Sequence, residues 1–331
     1  MKYQAIVWDL DGTLTDSAPG IMHSVQYALD KMGRSLLVES ELRKFLGPPL
    51  AVSFQEFCGM SHDEAIQASI FYRETYNDTK WMDNSVYPGI RSLLETLKNQ
   101  GHYLAVATGK PLNIAKKVLD YFCLSHLFDR IIGPSESNYY AKKEDSIQAA
   151  LEGRKDAIMI GDRIMDVEGA KAYGIPSVVV TYGYGSAEEF ETCPPDFFAG
   201  SVQELYALLD VVPDAKPGYF ISMEGNDGCG KSTQANLLAS KMKKYGFSVL
   251  KTREPGGSPV SEKIRNILLD KENGAMCSMT EALLFAAARA QHVREIIRPA
   301  LQKGMLVITD RFVDSSIAYQ GAGHQLGEEL V

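Results

Sequence analysis

Two runs of residues in this chain could do phosphate chemistry, and they are of different kinds. Asp9-Leu10-Asp11-Gly12-Thr13 follows the apolar run Tyr3-Gln4-Ala5-Ile6-Val7-Trp8, and Gly225-Asn226-Asp227-Gly228-Cys229-Gly230-Lys231-Ser232 follows Tyr219-Phe220-Ile221-Ser222-Met223-Glu224. Two aspartates at a strand end suit covalent phosphoryl chemistry, one carboxylate attacking phosphorus and the other carrying a proton. A glycine-rich loop ending in Lys-Ser suits gripping a nucleotide polyphosphate, because backbone amides and the N-terminus of the next helix face the anion. The chain reads as two enzymes joined.

Three later stretches complete the first constellation. Thr108-Gly109-Lys110 closes one apolar run, Lys142 and Lys143 lie in a loop after another, and Gly161-Asp162 with Asp166 follows Ala157-Ile158-Met159-Ile160. A nucleophilic carboxylate needs a cation to hold the phosphate against its own charge, a hydroxyl and an ammonium to orient the phosphoryl oxygens, and an acid for the leaving group. In open parallel sheets ligands bind beyond the carboxyl ends of the strands, which is where all four stretches fall. Singly, each has a plainer reading: an Asp after a strand commonly caps a helix, and Lys142-Lys143 is an ordinary solvated pair. The set in register carries the chemistry.

These residues need a scaffold, and the pattern supplies one. Residues 3–8, 103–108, 130–133, 157–161 and 177–181 are short β-rich runs, with amphipathic helical patterns at Ile90–Gln100, Leu112–Tyr121, Asp145–Glu152 and Asp166–Tyr173 between them. Such alternation predicts a parallel sheet covered on both faces. Residues 17–84 break the rhythm with helical periodicity and predict a helical insertion that is not part of the sheet. Between Leu209 and Tyr219 two prolines and Gly218 mark a short linker. The expected organisation is residues 1–209, a linker over 210–218, and residues 219–331. The expected class is α/β, each domain a three-layer parallel-sheet fold: a Rossmann-like core with a helical insertion, then a P-loop fold.

The 331 residues carry a formal charge of −8, unevenly divided. Residues 217–331 hold 14 Lys+Arg against 12 Asp+Glu, leaving 20 against 30 in residues 1–216. A basic domain is missing, which argues against nucleic acid and for small phosphorylated ligands. No apolar window reaches a membrane span, and the start lacks a signal-peptide layout. Cys58, Cys123, Cys193, Cys229 and Cys277 show no framework spacing. The expected location is the cytoplasm, with reduced thiols.

By the motifs Asp9-Leu10-Asp11-Gly12-Thr13 and Gly161-Asp162-Arg163-Ile164-Met165-Asp166, residues 1–209 resemble a haloacid-dehalogenase-superfamily phosphatase of the phosphoglycolate-phosphatase-like, helical-cap branch. The resemblance implies Asp9 as nucleophile and Asp11 as general acid and then base. It also implies Mg²⁺ held by Asp9, the Asp11 backbone carbonyl and Asp162 with support from Asp166, and Thr108 on the phosphoryl group. Its usual lysine spacing selects Lys143 over Lys142. Leu46-Gly47-Pro48-Pro49-Leu50 resembles the branch's substrate-facing cap loop, and a simple helix separator is the other reading. Mutase or phosphonatase chemistry stays open for the same aspartate pair.

The second half closely resembles thymidylate kinase over Phe220–Gln234, Thr252-Arg253-Glu254-Pro255-Gly256-Gly257, Leu284–His292 and Asp310–Gly321. The glycine-rich loop, through Gly225, Asp227, Gly228, Gly230, Lys231, Ser232 and Thr233, would hold ATP, with Ser232 on Mg²⁺. The resemblance implies Phe285 stacking on thymine, Arg289 bonding the base, and Arg311 clamping the phosphate of thymidine monophosphate (dTMP). Asp310 would stand near the metal and the attacking oxygen, Tyr319 and Gln320 would line the sugar and base pocket, and Arg253 would join the substrate contacts. It implies a homodimer through this domain. The resemblance stops at Val331, about half-way through such a kinase, before the lid that would carry a catalytic arginine, so the kinase half is expected to be incomplete. The other reading is a phosphatase with a non-catalytic nucleotide-binding appendage.

Overall fold

In the computed structural model, which describes residues 3–135, 142–213, 218–327 and 329, the chain divides into two compact units at Pro213/Asp214. Residues 214–217 of the expected linker lie outside the described residues.

The first unit is built on strands β1 (Ala5–Trp8), β2 (Thr15–Asp16), β3 (Ser85–Val86), β4 (Tyr103–Ala107), β5 (Arg130–Ile132), β6 (Ala157–Gly161), β7 (Ser177–Val180) and β8 (Phe197–Ala199). Six of them form a parallel sheet in the order β5-β4-β1-β6-β7-β8. All four residues of β1 are buried, as a strand covered on both faces requires. Ala5, Val7, Ala105, Ala107, Ala157 and Met159 pack one face against Ile147, Ala150, Leu151 and Ala170 of the helices Lys143–Leu151 and Ile164–Ala172. Because β1 pairs with β4 through Trp8↔Val106 and with β6 through Trp8↔Ile160, the residues following all three strands emerge side by side. The connection after β1 leads to β4 on one side and the connection after the adjacent β6 leads to β7 on the other, and that switch point opens a crevice.

The expected insertion is helical. Ala18–Lys31, Leu50–Cys58 and His62–Asp78 lie between β2 and β3, whose antiparallel pairing (Thr15↔Val86, Asp16↔Ser85) ties the two crossings together. Ser61 starts the third helix with a capping box: its hydroxyl accepts from Glu64 N at 3.3 Å and Glu64 Oε2 accepts from Ser61 N at 2.8 Å. Strand β8 has no counterpart in the sequence-based reading. It has three residues after Pro194-Pro195-Asp196, and Phe198 is 52% exposed, so no apolar alternation announces it.

In the second unit β9 (Tyr219–Met223), β10 (Val249–Arg253) and β11 (Leu306–Asp310) form a parallel sheet in the order β10-β11-β9. Leu306 and Ile308 face Ala235 and Ala239 of the helix Lys231–Lys244, while Val307 faces Ile297 and Ala300. Alternate residues of one strand thus fill two layers. Strand β9 is an edge of this three-stranded sheet, with Tyr219 71% exposed. Among the described residues no helix is long and apolar enough to cross a membrane.

Candidate active sites

At the end of β1 the chain turns sharply. Leu10 O accepts from Thr13, Leu14 and Thr15 N, and Gly12 sits at φ +84°, where a Cβ would lie 2.1 Å from Asp162 Oδ2. Only glycine allows this approach of the Asp11–Thr13 turn to Asp162. Thr13 Oγ1 donates to Asp162 Oδ1 at 3.1 Å, and Tyr184 N donates to Asp162 Oδ2 at 2.8 Å. Asp166, in the first turn of Ile164–Ala172, accepts from Asp162 N and Arg163 N at 3.1 Å each.

The result is a buried cluster in which carboxylate oxygens of Asp9, Asp162 and Asp166 all lie within 4.8 Å of one another. Lys143, first residue of its helix, inserts its ammonium 2.5 Å from Asp9 Oδ1 and 2.7 Å from Asp166 Oδ1. Lys142 is exposed. Burial pushes the Asp9 carboxyl up to about 7 against the pull of Lys143, with Asp166 adding to the rise. Burial likewise raises Asp162, reinforced by Asp9 and Asp166. Burial opposes the charge on Lys143, yet Asp166 and Asp9 hold its ammonium above the usual range. Three buried carboxylates around one ammonium leave an excess of negative charge and several oxygen donors, which fits a hard divalent cation such as Mg²⁺.

The Asp11 carboxyl lies apart from this cluster, 2.8 Å from Lys110 Nζ. Thr108 is buried and its Oγ1 accepts from Lys110 N at 3.1 Å. Sequence reasoning placed Lys110 in the Thr108-Gly109-Lys110 stretch without a role of its own and did not single out Tyr76 or Tyr184. The ammonium of Lys110 also donates to Tyr76 Oη of the inserted helix, at 2.7 Å. Tyr184 Oη accepts from Ser17 N (2.7 Å) and Ala18 N (3.0 Å), anchoring the start of the insertion, while the same residue's backbone holds Asp162. The available signal was Tyr182-Gly183-Tyr184-Gly185 directly after an apolar run. The cap loop is also tied down. Arg163 donates to Leu46 O and, through Nε, to Glu189 Oε1 at 2.9 Å, and Glu189 Oε1 accepts from Ile164 N at 2.9 Å.

The second constellation surrounds a cavity of about 450 Å³ lined by Asp227, Gly228, Gly230, Lys231, Ser232, Thr233, Arg253, Glu254, Arg265, Asp310 and Arg311. The loop from Gly225 to Gly230 leads into the helix Lys231–Lys244, and Lys231 Nζ donates to the loop carbonyls of Gly225 (2.9 Å) and Asn226 (2.7 Å). Ser232 Oγ donates to Asp310 Oδ2, bringing the two candidate metal-side residues together. Arg311 pairs with Asp227 at 2.6 Å and lies 5.1 Å from the Tyr319 ring centroid. Arg253 pairs with Glu262 at 3.0 Å.

Other expected substrate contacts sit outside that lining. Arg289 is held by Glu254 at 2.8 Å and donates to Ser316 Oγ; Gln320 is buried and donates to Glu281 Oε1 at 2.8 Å; Phe285 is half-buried on the helix Ser278–His292. His292, fully buried, joins Thr252 Oγ1 (2.7 Å) to Glu254 Oε1 (3.3 Å) and so fixes the end of β10 against this helix.

Comparison with known proteins matches both units. The family model for haloacid dehalogenase-like hydrolases covers residues 6–180, and that for thymidylate kinase covers residues 223–331. Over 214 residues the chain is 35% identical to a 5′-nucleotidase of Pseudomonas aeruginosa, an alignment spanning 63% of this chain and 97% of that protein. Over 114 residues it is 54% identical to the thymidylate kinase of Pelobacter propionicus, covering 34% of this chain and 52% of that enzyme. The chain thus spans about half the length of the thymidylate kinases it matches. A solved structure described as a predicted phosphatase from Clostridium acetobutylicum is 42% identical with a TM-score of 0.59, covering 63% of this chain and 99% of that one. The chain therefore belongs to the haloacid dehalogenase-like hydrolase family, with a domain of the thymidylate kinase family following in the same polypeptide.

Proposed function

We propose that the first unit hydrolyses phosphate monoesters, with 5′-nucleotides as the substrate class, and that the second binds ATP and dTMP for transfer of the terminal phosphoryl group of ATP to dTMP, giving thymidine diphosphate and ADP. The observation that carries the hydrolase reading is the Lys143 ammonium 2.5 Å from Asp9 inside the carboxylate cluster. Asp9 attacks phosphorus, the ester P–O bond breaks, and Asp11 gives its proton to the departing oxygen. Asp11 then takes a proton from water, whose oxygen attacks phosphorus and releases Asp9 and inorganic phosphate. Lys143 keeps Asp9 oriented and offsets its charge as the anionic substrate arrives. Thr108 holds a phosphoryl oxygen. Asp9, Asp162, Asp166 and the Asp11 carbonyl would hold Mg²⁺, which when bound draws negative charge from the phosphoryl group.

The nucleotide class rests on the 5′-nucleotidase relative. For the second unit, support comes from the thymidylate kinase relatives and from Ser232, Asp310 and Arg311 meeting at one cavity. Gly225, Asp227, Gly228, Gly230, Lys231 and Thr233 would cradle the ATP phosphates, and Ser232 would hold their Mg²⁺. Arg311 and Arg253 would take the dTMP phosphate, Phe285 and Arg289 the base, and Tyr319 and Gln320 the sugar and base pocket. Small phosphorylated ligands and five free cysteines fit a reducing cytoplasm. Pairing of two copies through the second unit rests on the family resemblance and is read by sedimentation.

The test is phosphate release from a panel of 5′-nucleotides, phosphoglycolate and p-nitrophenyl phosphate, with and without Mg²⁺. Mg²⁺-dependent release led by nucleoside monophosphates is expected, and no release from any ester would overturn the reading. Chromatography of ATP and dTMP reactions tests the second unit.

A further inference from the structure

The Lys110 side chain is only 5% exposed, so its charge needs partners. It has two: Asp11 Oδ2 at 2.8 Å and Tyr76 Oη at 2.7 Å, with Nζ 4.7 Å from the Tyr76 ring centroid. Tyr76 is itself buried on the inserted helix His62–Asp78 and stacked on Tyr72, centroids 5.2 Å apart and planes 16° off parallel. At the other end Lys110 N donates to Thr108 Oγ1, pinning the backbone at the end of β4. The second oxygen of Asp11, Oδ1, is buried and has no hydrogen-bond partner among the described residues.

We infer that Lys110, braced by Tyr76, is a positioning residue for the acid–base carboxyl of Asp11. This rests on the hydrolase reading above. An ammonium has only donors, so Asp11 Oδ2 is committed as an acceptor and a proton on this carboxyl resides on Oδ1. The two oxygens cannot exchange places without breaking the ion pair to the buried Lys110 ammonium, so the carboxyl presents one fixed face. As the ester P–O bond breaks and its electron pair moves to the leaving oxygen, the proton passes from Asp11 Oδ1 to that oxygen. The ammonium stays in place and stabilises the carboxylate left behind. One of the two groups bracing Lys110 comes from the insertion, so the alignment of the acid depends on that helix as well as on the core.

The leaving group supplies a readout that a merely structural lysine would not move. The ratio kcat/KM reports the steps through departure of the leaving group, which needs a proton for an alkyl 5′-nucleotide ester and little help for p-nitrophenyl phosphate. In Lys110→Met, kcat/KM on a 5′-nucleotide is expected to fall about 100-fold, and on p-nitrophenyl phosphate less than about five-fold. Tyr76→Phe, which removes one hydroxyl, should show the same split in smaller measure, and it decides the matter if Lys110→Met does not fold. Equal losses on both esters would overturn the assignment while leaving the hydrolase reading intact. A wild-type chain active on neither ester would overturn both.

Discussion

At Asp9 three buried carboxylates lie together and only two of them pair with an ammonium, that of Lys143, and most of what this site does follows from that imbalance. Asp9→Asn is expected to abolish phosphate release, since an amide does not attack phosphorus. Asp11→Asn should slow turnover by about 10²–10⁴-fold through loss of the proton carrier. Steady-state assays on a 5′-nucleotide check both, and near wild-type turnover by Asp9→Asn would sink the covalent mechanism. Lys143→Ala leaves the carboxylates uncompensated, a change that costs about 3–5 kcal/mol when a buried pair is broken, whereas Lys142→Ala at an exposed position should stay within about 0.5 kcal/mol. Urea denaturation of the two variants compares them directly. The acid–base consequence has a definite sign. Asp9 is pushed up to about 7, and Asp162 is raised as well, above an unfolded value near 3.9. Such groups favour the fold below about pH 4, and that stability is lost as pH rises toward 7. Mg²⁺, which binds the ionised carboxylates, should therefore raise the melting temperature more at pH 8 than at pH 5. An equal shift at both would contradict the cluster as a cation site.

Loops between strand and helix carry both constellations, and their placement follows from two ordinary facts about the elements. Parallel strands present their C-terminal ends together, and the helices that follow begin there with unpaired amides. The sequence-based strands at 103–108, 157–161 and 177–181 correspond to β4, β6 and β7, and the helix expected from Asp166 begins two residues earlier at Ile164. That shift matters, because it makes Asp166 the third helical residue, from which its carboxylate reaches back to accept from Asp162 N and Arg163 N. The cap loop gives the element-scale prediction. Gly47 adopts φ +110° directly against Arg163, whose guanidinium joins Leu46 O to Glu189. Arg163→Ala should free this loop, raising KM for a 5′-nucleotide roughly ten-fold with kcat changed far less, an effect worth about 1.4 kcal/mol of uniform binding. A fall in kcat at constant KM would show instead that Arg163 acts on the carboxylates beside it.

Each of the two units buries its own apolar layers and assembles its own phosphate-handling residues. Lys231→Ala is accordingly expected to abolish ATP binding, measured by calorimetry, and to leave phosphate release unchanged; a large loss of hydrolysis would show the sites to be dependent. The amino-acid sequence by itself determined the class of both units, the α/β order and the helical insertion, and it singled out Asp9, Asp11, Asp162, Lys231 and Ser232 as candidate site residues. These were legible because strand, loop and helix signals are local, and the reactive residues sit within a few positions of a strand end. Only the tertiary structure decided which neighbours those residues meet. The pairing of Lys143 with Asp9, the bond between Lys110 and Tyr76, the tie from Arg163 to Leu46 and the grip of Tyr184 on Asp162 join residues 22 to 134 positions apart. Such contacts depend on how a sheet edge, a turn and an inserted helix pack in space, and no periodicity of 2 or 3.6 residues encodes them.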